Sequence, residues 1–152
     1  MHPLLRLAPI LLVVLAGACD GRSPEPTAAN EGPRDDAPAP VAARIGVPFT
    51  LAFGDSARVD GSGLTVAFRA VQEDSRCPTG VTCVWEGNAR IVLDVREGEG
   101  PSAPRVLNTT LDPRSATAAG YRLELVELLP WPAEGQLTPE ERYEVRLRVS
   151  GP

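Results

Sequence analysis

From Ile45 onward the chain alternates apolar and polar residues in short runs. The clearest is Tyr143-Glu144-Val145-Arg146-Leu147-Arg148-Val149, with Tyr143, Val145, Leu147 and Val149 on one side and Glu144, Arg146 and Arg148 on the other. A period of two is that of a strand with one buried face. The same reading predicts strands near 49–53, 64–71, 89–96, 105–111 and 121–128, and a weaker one at 57–59. Turn residues separate them: Gly54-Asp55-Ser56, Asp60-Gly61-Ser62-Gly63, Glu97-Gly98-Glu99-Gly100-Pro101 and Gly120. A helical period is missing throughout. One helical turn is expected at Thr138-Pro139-Glu140-Glu141, where Thr138 suits the cap and Pro139 the first position. Six or seven strands without crossover helices predict an all-β, antiparallel β-sandwich over 45–152, immunoglobulin-like in arrangement, with a small β-barrel as the alternative. That length suits one core.

The N-terminal pattern is different. Arg6 precedes an apolar run over 7–15, and small residues lead to Cys19 in Leu15-Ala16-Gly17-Ala18-Cys19. The run is less than half of the roughly 20 apolar residues needed to span a bilayer. It reads as a lipoprotein signal peptide, 1–18, cleaved before a Cys19 that carries lipid; the rival reading is ordinary secretory cleavage that leaves Cys19 a free thiol. Asp20 resembles an inner-membrane retention signal. Residues 19–44, with Pro24, Pro26, Pro33, Pro38 and Pro40 among Ala, Gly and acids, have no apolar period and read as the lipidated cysteine and a disordered tether. The expected location is the bacterial cell envelope, with the membrane as partner through the lipid anchor at Cys19.

The formal charge is −5, and loss of Arg6 with the leader makes it −6. That balance argues against a nucleic-acid partner. The one histidine is His2 and the one methionine Met1, both within the leader. The processed chain therefore has no imidazole for Ser-His-Asp or Cys-His catalysis, for a His-ligated metal, or for a Met/His copper site. No catalytic residue, metal or cofactor is expected, and the chain is read as a non-enzyme.

The other two cysteines lie in Asp74-Ser75-Arg76-Cys77-Pro78-Thr79-Gly80-Val81-Thr82-Cys83-Val84-Trp85-Glu86-Gly87. Outside the cytoplasm this spacing predicts a structural Cys77–Cys83 disulfide. A redox pair is the rival, and its usual closer spacing at a helix start is missing. The segment resembles the hallmark of a family of small bacterial lipoproteins and secreted proteins: Asp-Ser-Arg-Cys-Pro, a spacer, Cys-x-Trp-x-Gly and then a strand, followed later by Leu-Pro-x-Pro, here Leu129-Pro130-Trp131-Pro132. The resemblance implies export and a shared fold, and brings no catalytic residue.

Each polar or aromatic residue of the motif has a structural and a functional reading. Asp74 and Arg76 are expected to pin the loop by a charge-assisted hydrogen bond; alternatively Arg76 clamps an anionic ligand. Trp85 is expected to pack across the disulfide, with an exposed sugar-stacking platform as its rival. Gly87 is expected to serve a close approach or a positive φ. Glu73, Asp74 and Glu86 would support glycan hydrolysis only if they shared a cleft. Trp131, between two prolines, either covers the end of the sandwich or contacts a partner. Asn108-Thr109-Thr110 matches a glycosylation sequon without weight in this context. Three functions follow: a tethered module that binds an envelope protein or glycan through Arg76, Trp85 or Trp131; a protease inhibitor presenting the Cys77–Cys83 loop; and a carboxylate hydrolase acting on glycans.

Overall fold

The computed structural model describes residues 38–151; the leader, Cys19, most of the tether and Pro152 lie outside them. Nine strands follow one another: β1 Val41–Arg44, β2 Phe49–Ala52, β3 Ser56–Asp60, β4 Leu64–Asp74, β5 Ala89–Glu97, β6 Ser102–Asn108, β7 Ser115–Ala118, β8 Tyr121–Leu129 and β9 Glu144–Ser150. They make two sheets, ordered β1-β3-β4-β5-β6 and β2-β9-β8-β7. The expected β-sandwich is what forms. No ladder joins the sheets among the described residues, so the barrel alternative does not hold.

The strand order departs from the immunoglobulin arrangement. There the strands divide as ABED and CFG, so neither sheet is a run of consecutive neighbours. Here β3 to β6 make one meander and β7 to β9 another, and β2 joins β9 while β1 runs parallel to β3. Two packed meanders replace the immunoglobulin-like expectation.

Alternation builds the core. Leu64, Val66 and Phe68 of β4 and Ile91, Leu93 and Val95 of β5 pack in one cluster with Leu123, Leu125 and Leu128 of β8 and Val145, Leu147 and Val149 of β9. Phe53 meets Phe68 edge-on, ring centres 5.8 Å apart. In β8 the inward spacing breaks from two to three. A register shift between Leu125 and Glu127 takes up the extra residue, so Leu128 returns to the core face and Glu127 stays out of it.

Two strands lay outside the apolar pattern. β1 falls within the expected tether and has Ala43 as its only buried side chain; its ladder with β3 places it in the sheet, so the folded region begins before Ile45. β7, Ser-Ala-Thr-Ala, has no large apolar residue and is held as an edge by β8. β6 lies three residues earlier than expected and contains Pro104, which an edge strand tolerates because one side needs no donor. The helical turn is a 3-10 turn at Glu140–Arg142 with Pro139 before it, and Thr138 makes no capping bond there.

Candidate functional site

The motif forms the excursion between β4 and β5. Its two arms stay joined: Ser75 N–H and Oγ–H both donate to the Asn88 carbonyl at 2.7 and 2.9 Å, and Cys77 N–H to the Glu86 carbonyl at 2.9 Å. Gly87 lets them meet. It has φ +73°, and a Cβ there would collide with the Ser75 carbonyl, so both readings of this glycine hold together. The Cys77–Cys83 disulfide closes the tip, with Cα atoms 6.0 Å apart, as expected from the spacing.

Arg76 turns inward and is only 4% exposed. Its Nε and Nη2 donate to the two oxygens of Asp74 at 2.8 and 2.7 Å, Nη2 also donates to the Pro130 carbonyl at 2.8 Å, and Nη1 to the Leu128 carbonyl. β7 ends opposite Tyr121–Glu124, so beyond that point Arg76 satisfies carbonyls of β8 and its extension that have no neighbouring strand. The Tyr143 hydroxyl donates to Asp74 at 3.0 Å. One ion pair thus ties the motif loop, at the end of one sheet, to β8 and its extension and to Tyr143, the residue before β9, in the other.

Burial by itself raises the Asp74 carboxyl. The hydrogen bonds and charge of Arg76, joined by Tyr143, more than offset that and hold its pKa below the ordinary carboxylate value. Tyr143 is pushed above the ordinary phenol value, first by burial and then by the hydrogen bond to Asp74 and its charge. Asp74 is a fixed anion with both oxygens engaged. The loop-pinning role of Asp74 and Arg76 is present, and four hydrogen bonds of the guanidinium are committed to Asp74, Leu128 and Pro130.

A second set of buried polar groups fastens the β6–β7 turn. Asn88 Nδ2 donates to Asn108 Oδ1 at 3.0 Å, and Asn88 Oδ1 accepts from the N–H groups of Thr110 and Leu111 at 3.1 and 3.3 Å. Asn108, the sequon asparagine, is buried and donates to the Asp112 carbonyl at 3.2 Å. The sequon is internal structure.

Trp85 is not a core residue. It is 57% exposed beside a fully exposed Val84, because the closed loop directs residues 84 and 85 away from the core. Trp131 is 49% exposed, and the Arg76 guanidinium lies 5.1 Å from its ring centre. The segment after it is held as well: Thr79 N–H donates to the Pro132 carbonyl at 2.9 Å, and Thr79 bridges Ala133.

These elements enclose a cleft of about 300 Å³ at this end of the sandwich, lined by Trp131, Glu86, Thr110, Arg114, Glu127 and Leu128 among others. Glu73 and Asp74 line a different depression, with Tyr143 and Leu137. Glu73, Asp74 and Glu86 therefore do not share a cleft, and the described residues hold no group of three or more His, Cys, Asp or Glu suited to a metal ion. Tyr143, Arg114 and Glu127 had no place in the sequence reading of the site, since a strand pattern gives a side chain's face but not its neighbour. Comparison with protein-family models, curated proteins and solved structures found no match.

Proposed function

We propose that this chain is a membrane-tethered, non-enzymatic binding module of the bacterial cell envelope, and that it recognises its ligand at the loop end of the sandwich. The lipobox-like run ending at Cys19 supports the anchor, and the Pro-rich stretch after it supports a tether. A disulfide in so small a domain accords with an oxidising compartment. The observation that carries the binding reading is Trp131: a half-exposed indole on a cleft, backed by a buried ion pair that fixes the wall behind it. Rigid aromatic side chains lose little entropy on binding and supply large contact area. The hydrolase reading lacks its geometry, since Asp74 is engaged on both oxygens and Glu73 and Glu86 face different depressions.

The test has two arms. Mass spectrometry of the mature protein is expected to show an acylated Cys19; an unmodified terminus ends the tether reading. Purified protein is expected to bind isolated envelope fractions saturably, and Trp131→Ala to weaken binding at least about tenfold, which is about 1.4 kcal/mol. Unchanged binding by that variant ends the assignment of the site. The exposed Val84-Trp85 pair beside a disulfide-closed loop favours one second reading, a protease inhibitor. A panel of envelope and exogenous proteases unaffected at micromolar protein removes it.

A further inference from the structure

The polar groups at the loop end divide into two sets. Asp74, Arg76, Asn88, Asn108 and Thr109 are engaged with one another or with backbone. Glu86, Thr110, Arg114 and Glu127 also stand around the cleft, yet their side chains have no hydrogen-bond or ion-pair partner among the described residues. The free set contains carboxylates that only accept, a guanidinium that only donates and a hydroxyl that does both. It lines the same cleft as an indole whose ring centre lies 5.1 Å from the Arg76 guanidinium. Resting on the binding reading above, we infer that the cleft takes a neutral saccharide, a short pyranose glycan whose apolar ring face lies on Trp131 and whose hydroxyls meet Glu86, Glu127, Arg114 and Thr110.

Four considerations select this class. Sugar hydroxyls donate and accept, so they match a lining with both kinds of group, whereas a simple anion meets two carboxylates and a simple cation meets Arg114. Arg76 adds no free positive charge, because Asp74 neutralises it. A pyranose presents C–H groups on one face, and these suit the electron-rich face of an indole. The cleft, about 300 Å³, sits at the small end of ligand sites and fits a short ligand.

An extended peptide is the competing class of occupant. It would add to the open edge of β8, where β7 has stopped. The Leu128 and Pro130 carbonyls it would pair with already accept from Arg76, so the edge is occupied. Trp131 also needs no rearrangement to receive a ring. Prolines on both sides limit its backbone, and Thr79 holds the following carbonyl. A platform fixed in advance lowers the ordering cost of binding.

The test uses the purified full chain and follows tryptophan fluorescence and ligand-observed NMR. The probes are maltose, cellobiose, mannobiose and diacetylchitobiose, with glucuronic acid, spermidine and a lysine-containing extended peptide as contrasting chemistries. At least one neutral disaccharide is expected to bind below about 10 mM, with Trp131→Ala weakening it at least about tenfold and Trp85→Ala leaving it within about twofold. Glu127→Gln, which keeps shape and removes charge, is expected to weaken binding several-fold with an unchanged thermal midpoint. It serves as the second variant should Trp131→Ala disturb folding. Absence of binding by every neutral probe, or binding indifferent to both variants, overturns the inference. Preferential binding of the peptide, the acid or the amine overturns it as well. In those cases Trp131-dependent binding to envelope fractions still stands or falls by its own measurement, so the saccharide inference and the module reading fail separately.

Discussion

Replacing Arg76 by Met removes a guanidinium that is 2% exposed and leaves its partner Asp74, 11% exposed, with only the Tyr143 hydroxyl and one backbone N–H. Met fills much of the same path, so the loss is electrostatic more than steric. Breaking a buried ion pair from one side costs about 3–5 kcal/mol, because the remaining charge stays desolvated. Asp74 keeps some access to water, and the Leu128 and Pro130 carbonyls border the loop end, so the lower figure applies: about 3 kcal/mol. With a urea slope of about 1.5 kcal/mol per molar, the unfolding midpoint falls by about 2 M. Adding Asp74→Asn to Arg76→Met removes the stranded charge, and the double variant is expected to be less destabilised than the sum of the single ones by about 2 kcal/mol. The exposed Arg69–Asp94 pair, 53% and 31% exposed, is the internal comparison. Arg69→Met is expected to cost less than about 1 kcal/mol. Urea denaturation followed by tryptophan fluorescence reads all of these. A midpoint shift for Arg76→Met no larger than that for Arg69→Met, or strict additivity with Asp74→Asn, would refute a central structural role for this pair.

Acid should act through the same aspartate. Its folded pKa lies below the ordinary value of 3.8, so its contribution is present above the unfolded pKa and is lost as pH falls through the folded one. The stability gap between the wild type and Asp74→Asn is therefore expected to be flat above about pH 5 and to narrow below it, measured by urea midpoints at stepped pH. Tyr143 works at the other extreme: its raised pKa means stability is present below about pH 10 and lost as pH climbs through the folded value, an effect absent in Tyr143→Phe. Cys77→Ser with Cys83→Ser opens a ring of separation 6 and is expected to cost about 2–2.5 kcal/mol in thermal or urea unfolding. A loss below about 0.5 kcal/mol would mean the Thr79–Pro132 contact holds the loop unaided. Gly87→Ala places a Cβ on the Ser75 carbonyl at a positive φ and is expected to cost about 2 kcal/mol or more; unchanged thermal stability would contradict the close approach of the two arms.

Strands whose apolar residues repeat every second position were legible before the structure: β2, β4, β5, β8 and β9 fall close to their expected places. β1 and β7 were not, because an edge strand of Ala, Ser and Thr is held by its neighbour's backbone, and a side-chain period carries no record of that. The break in the β8 repeat was visible as Leu-Glu-Leu-Val-Glu-Leu-Leu, yet only the register with β9 shows that a bulge, and not a strand end, absorbs it. The site divides the same way. The Asp74–Arg76 contact and the disulfide join residues near in sequence, and spacing alone exposed them. Leu128 and Pro130 meet Arg76, and Tyr143 meets Asp74, across more than fifty positions, a separation that only the packing of the two sheets closes. Trp85 was misjudged for a related reason: alternation continued through the motif assigns it inward, but the tight loop leaves the sheet before that parity applies.

That difference bears on where function resides. Read as a sequence, the motif concentrates charge, sulfur and an aromatic within fourteen residues and looks like the site itself. In the fold its charged pair and its sulfurs are consumed in holding two sheets and a loop together, and a polar group engaged in that way has little interaction left for a ligand. The groups with capacity to spare are Glu86, at the end of the motif, and beyond the motif residues of β8, of the β6–β7 turn and Trp131, so the motif supplies the wall and one of the contacts. Substitution of the engaged motif residues, Asp74, Arg76 and the two cysteines, should accordingly change stability first and binding only as a consequence. Substitution at Trp131, Glu127 or Arg114 should change binding while the unfolding midpoint stays in place. A set of variants whose binding and stability moved together at both kinds of position would argue against this separation.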